Sequence, residues 1–208
     1  MFRVIFLFFL LIATCFLISS FAYLDLTTVK NLLIAKGIGT STTTIGEISL
    51  TEITAEIFIF CSTLLMFNYA KKHHDYRDLF ILMAGLYACM FLRELDALFD
   101  FIFHGFWLYP VLLVIFATGY LALRRPGQLI SQMGQFSRLS SFGFVLIGLV
   151  IILAFSRLMG SSNFWKLFLS GQEIVIVKTI VQECMEFFGY SLILIGTFLL
   201  RFDLRRYF

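Results

Sequence analysis

Hydrophobic residues along this chain gather into runs of about 20, the length at which a helix crosses the hydrocarbon core of a bilayer. Six runs are read: Val4–Tyr23, Ile48–Tyr69, Leu79–Phe101, Phe106–Leu123, Phe142–Met159 and Ile174–Leu200. Short polar connections separate them. A transmembrane barrel would instead show segments of about ten residues with alternating polarity, and that alternation is missing. The expected fold is therefore all-α, a polytopic membrane protein with about six transmembrane helices in one bundle. Residues 1–208 are expected to form a single domain.

The polar connections also predict an orientation. Lys71, Lys72 and Arg77 follow the second run, Arg124, Arg125 and Arg138 the fourth, and Arg201, Arg205 and Arg206 the sixth; Arg3 precedes the first. Cytoplasmic loops carry the Lys and Arg excess, and six crossings place all these clusters on one side. Both termini are expected in the cytoplasm, with the chain in the inner or plasma membrane. A second reading of the first run exists: Arg3, the apolar stretch and Ser20-Phe21-Ala22 resemble a cleavable signal peptide. The length of the run favours a retained helix. Two outer connections, 25–36 (closed by Gly37) and 162–169, have the amphipathic spacing of interfacial helices.

Composition agrees with a bilayer setting. Hydrophobic residues make up 60% and charged residues 14%, against about 45–50% and about 25% in soluble domains. The net charge of +3 is spread over inter-helix loops, which is no nucleic-acid footprint. Cys15, Cys61, Cys89 and Cys184 all sit in apolar runs without a C-x-x-C spacing, so buried thiols are expected rather than a disulfide framework.

What changes the picture is acid in the wrong place. Of 13 carboxylates, seven fall inside the runs: Glu52, Glu56, Glu94, Asp96, Asp100, Glu183 and Glu186. On insertion scales an aspartate at a helix centre costs roughly 2.5–3.5 kcal/mol, so such groups face a partner, a cavity or an ion. Orientation brings them to the outer half of the membrane. Helical periodicity aligns Ser49, Glu52, Glu56 and Thr63 on the second run, and Thr179, Glu183, Glu186, Tyr190 and Thr197 on the sixth. On the third, Arg93, Asp96 and Asp100 share a face, which His104 joins if the helix continues. Arg93 and Lys178 are the basic groups inside the runs, with Arg157 at the outer end of the fifth. An outward-facing polar cavity is expected from Glu52, Glu56, Arg93, Glu94, Asp96, Asp100, Glu183, Glu186 and Tyr190, organised by Arg93. Carboxylates left uncompensated there are protonated, hydrated or bound to a cation.

Three functions are compatible with that cavity. The first is binding or transport of a cation or of protons. A hard divalent cation takes oxygen ligands, here from Glu56, Glu94, Glu183 and Glu186 with His104 nearby. Glu183-Cys184-Met185-Glu186 resembles the E-x-x-E spacing of membrane iron permeases. Those permeases differ in helix number and in acidic spacing, so no family is assigned. The second is an intramembrane metal-dependent hydrolase acting on a lipid or peptide. His104 alone falls short of the two or three histidines usual for zinc, and neither G-x-S-x-G nor H-E-x-x-H occurs. The third is a non-catalytic subunit whose polar stripes dock a partner helix, with Ala84, Gly85, Ala88 and Cys89 permitting close approach. Expected partners are the lipid bilayer, a cation or proton, and a second copy or another membrane subunit.

Overall fold

The computed structural model describes residues 2–35, 49–169, 171 and 173–207. Every regular element among them is helical. In chain order they are α1 (Phe2–Ala35), α2 (Leu50–Lys72), a 3-10 turn (His74–Tyr76), α3 (Arg77–Glu94), α4 (Asp96–Phe99), α5 (Leu108–Ala122) and α6 (Pro126–Phe136). Then come α7 (Ser140–Val150), a π-turn (Ile151–Phe155), α8 (Ser156–Met159), α9 (Ser162–Trp165) and α10 (Glu173–Tyr207). Each apolar run read from the sequence is helical over most of its described residues.

Four stretches are long and apolar enough to cross a membrane alone: Phe9–Thr28, Leu50–Lys72, Ser140–Met159 and Ile174–Arg205. The third run fails that criterion because α3 carries Arg77 and Asp78 in its first turn and Arg93 and Glu94 in its last. The fourth fails on length. Its 15 residues reach about 22 Å at about 1.5 Å per residue, short of a core of about 30 Å. Only taken together with α6, across a bend of 97°, does α5 qualify as a fifth, broken span. The architecture is all-α with several long apolar helices.

Three expected boundaries move. The segment after Tyr23 is not a separate interfacial helix, because α1 runs unbroken to Ala35; no Gly or Pro interrupts it. Lys36, Gly37 and Glu47 lie outside the described residues. Of the connection 162–169, only the first turn is helical, as α9. The third run ends seven residues short of Phe101, since Leu95 leaves helical geometry with ψ of 14°.

The chain divides into two compact units, one built from Met1–Ala55 and Gly148–Ser191, the other from Glu56–Ile147 and Leu192–Phe208. In the first, Phe21 of α1 stacks on Phe187 of α10 with centroids 6.0 Å apart. Gly189 brings α10 against the π-turn, where any Cβ would overlap the side chain of Ile152. In the second, α3 packs along α5. Gly85 makes that approach possible, because a Cβ there would occupy the space of the Thr118 side chain. The amphipathic α6 folds back beneath α3, burying Leu129, Gln132 and Phe136. Gln132 Oε1 accepts the Leu79 N–H at 3.0 Å while its Nε2 donates to the Asp75 carbonyl at 2.7 Å. The Leu79 N–H lies in the first turn of α3, where it has no partner within the helix.

Candidate acidic site

The densest polar cluster is in the first unit, where α2 begins. Ser49 is the N-cap of α2: its Oγ accepts the Glu52 N–H at 3.1 Å and its carbonyl accepts the Ile53 N–H at 3.1 Å. Asp25 comes from α1 to the same helix end. Its Oδ1 accepts the Leu50 N–H at 3.0 Å and its Oδ2 the Thr51 N–H at 3.3 Å. A carboxylate there satisfies otherwise orphaned donors and faces the positive end of the helix dipole.

Glu183 reaches this cap from α10. Ser49 Oγ donates to Glu183 Oε2 at 2.8 Å. Thr51 Oγ1 stands 2.6 Å from Asp25 Oδ2 and 3.3 Å from Glu183 Oε2. Thr51 is 2% exposed, so this hydroxyl lies buried between two carboxylates and has one proton to offer them. Among the described residues no cation pairs with Glu183.

Glu186, one turn further along α10, is treated differently. Its Oε1 accepts Ser156 Oγ at 2.7 Å and Gln182 Nε2 at 3.1 Å, and Arg157 Nη2 lies 3.8 Å away. Ser156 and Arg157 directly succeed the π-turn. An extra residue in a wide turn rotates the next helical residues by about 100° relative to an uninterrupted α-helix. That rotation turns both side chains toward α10. Two adjacent glutamates thus have opposite surroundings, hydroxyls around Glu183 and an arginine beside Glu186. The rim is pinned by Lys178 Nζ, 3.1 Å from Ser162 Oγ, and by the Trp165 indole N–H donating to the Met159 carbonyl.

No protein-family profile matches the chain, and no curated protein or solved structure matches it.

The nine expected cavity residues divide between the units. Glu52, Glu183, Glu186 and Tyr190 belong to the first, and Glu56, Arg93, Glu94, Asp96 and Asp100 to the second. Tyr190 is buried and Glu52 half-buried. Glu56 lies half-buried on α2, while Arg93 and Glu94 end α3. Asp96 opens α4 with its Oδ1 sealed from solvent and without a hydrogen bond. Asp100 and His104 do not continue a helical face; they build a turn. Asp100 Oδ2 meets His104 Nδ1 at 2.9 Å and Oδ1 accepts the Gly105 N–H at 3.0 Å. Gly105, at φ of 83°, takes a conformation that glycine adopts without steric cost. The hydrogen bond to Asp100 holds the His104 imidazole above its ordinary range. His104 and the Gly105 N–H together hold the Asp100 carboxyl below its own. His104 is 93% exposed and committed to Asp100, a poor start for a hydrolase centre. Among the described residues no three His, Cys, Asp or Glu side chains stand close enough to hold a metal ion.

Asp25, Thr51, Ser156, Arg157 and Gln182 are the functional groups that sequence reasoning missed. For α2 a signal existed: Ser49-Leu50-Thr51-Glu52 before an apolar run has the spacing of a capping box. For Arg157 none did, because the π-turn that re-aims it has no sequence signature here. Three hydroxyls on α2 and α10 are spent locally. Ser62, Thr63 and Ser191 each donate to the carbonyl four residues back, at 2.8, 2.8 and 2.7 Å.

Proposed function

We propose that this chain is a multi-pass membrane protein whose Asp25–Glu183 pair takes up and releases protons, as the binding step of proton-linked transport. The observation that carries the proposal is the Thr51 hydroxyl between the two carboxylates, 2.6 and 3.3 Å from them. The Thr51 proton serves Asp25 at the shorter distance, while Ser49 Oγ donates to Glu183 at 2.8 Å. Two carboxylates that meet at one hydroxyl repel each other when both are charged, and a proton added to either relieves that repulsion. Carboxylates in a low-dielectric setting are the usual carriers of such relays. The contacts are already at hydrogen-bond length, so a proton needs no extra room, whereas a metal ion would have to part them. Glu186, one turn along α10, has Arg157 Nη2 3.8 Å away, a cation that Glu183 lacks among the described residues.

The test is flux. Protein reconstituted into liposomes loaded with a pH-sensitive dye is expected to move protons under an imposed potential. Glu183→Gln should slow uptake by about tenfold or more, the equivalent of about 1.4 kcal/mol. Chelating divalent cations should leave the rate unchanged. Equal rates in wild type, Glu183→Gln and empty liposomes would sink the proposal; a chelator-sensitive rate would replace the proton by a hard cation.

A further inference from the structure

The second unit carries a groove of about 630 Å³ between α2, α3 and α5, within the range of about 300–1,000 Å³ typical of ligand sites. Its floor is apolar and made roomy by small residues, among them Ala70, Ala84, Ala88 and Ala117. Its mouth is basic. Lys71 lies in the last turn of α2, His74 in the 3-10 turn and Arg77 opens α3, so three consecutive elements deliver their basic groups to one end of the groove. None of the described residues lining it is acidic.

The same end carries a marker of membrane depth. There α5 turns through 97° into α6, which exposes Ile130 by 71% and Met133 by 50% while Leu129 and Phe136 are buried. A short amphipathic helix at right angles to an apolar one, with apolar side chains left outside, fits the interface between headgroups and acyl chains. Arg124 and Arg125 stand exposed at that bend.

We propose that this groove holds an anionic phospholipid, with an acyl chain on the alanine floor and the phosphate at Lys71, His74 and Arg77. A free phosphate would leave the floor empty, and a choline headgroup would bring its ammonium among three basic side chains. Basic pockets between membrane helices on the cytoplasmic side select anionic headgroups for this reason. The inference rests on the membrane setting and not on proton uptake, since it involves none of the residues around Glu183.

Native mass spectrometry of the delipidated full chain tests it. The protein is offered equal phosphatidylglycerol and phosphatidylcholine of matched chain length, and retained lipid is counted. Retention should favour phosphatidylglycerol by about tenfold or more, and Lys71→Gln/Arg77→Gln should bring the ratio close to one, as expected for two basic groups near the surface. Ala88→Phe fills the floor and keeps the charges, so it should lower phosphatidylglycerol retention by a similar factor. This second variant decides the matter if the charge-neutralised chain does not fold. Millimolar inorganic phosphate should leave the lipid in place. Equal retention of the two lipids, an unchanged preference in the double variant, full retention in Ala88→Phe, or displacement by inorganic phosphate would each overturn the assignment.

Discussion

Among the described residues, a carboxylate lent by one helix to the amino end of another is a device used twice. Asp25 serves α2 in the first unit, and Asp203 serves α7 in the second. The Asp203 side chain is fully buried; its Oδ2 accepts the Ser141 N–H at 3.1 Å and Ser140 Oγ at 3.4 Å. The first N–H groups of a helix have no partner within it, and in hydrocarbon no water replaces one. A buried acid is therefore as readily a cap as a reactive group, and the two must be told apart by what else they touch. Asp25 shares a hydroxyl with Glu183 as well as capping α2. Replacing Asp203 by Ala should destabilise the fold by about 1–3 kcal/mol, the cost of leaving a buried donor unsatisfied. Thermal unfolding in detergent micelles would register the loss, and Asp203→Asn should retain part of it. A melting point unchanged in Asp203→Ala would count against the capping role. Neither acid stood out in the sequence, because hydropathy places Asp25 after the first run and Asp203 after the sixth, and the helix each one caps is remote along the chain.

Among the helices, close approach depends on particular small residues. Ala84, Gly85, Ala88 and Cys89 read equally as a docking stripe or as packing within the chain. Gly85 meets Thr118 of α5, and Cys89 Sγ approaches the Val111 carbonyl at 3.9 Å, so these two serve internal packing; Ala84 and Ala88 line the groove. Gly85→Ala should cost about 1–3 kcal/mol through overpacking. Gly85→Ala/Thr118→Gly should recover part of that cost, and a double-mutant cycle measures the coupling. Strict additivity of the two changes would show that α3 and α5 do not meet there. Element existence was legible because apolar runs act locally. Element ends were less so. Leu95 breaks α3 where periodicity alone would carry it to Phe101, and the carboxylate of Asp100 draws the succeeding backbone into a turn instead.

For the molecule as a whole, the basic clusters predict sidedness. In a background without the four native cysteines, Ser137→Cys should react with impermeant maleimide only from the cytoplasmic side and Asn163→Cys only from outside. Labelling of both from one side would overturn six crossings with cytoplasmic termini. By itself the sequence determined the helical class and the approximate place of each long apolar helix, because hydropathy and helical period are properties of local segments. It also picked out Glu183 and Glu186, since acids in apolar runs are costly wherever the runs pack. Only the tertiary structure decided what surrounds them: a hydroxyl shared with Asp25 in one case, and Ser156 with the exposed Arg157 in the other. Those partners lie more than 20 residues away along the chain, and no local periodicity encodes a contact made by packing.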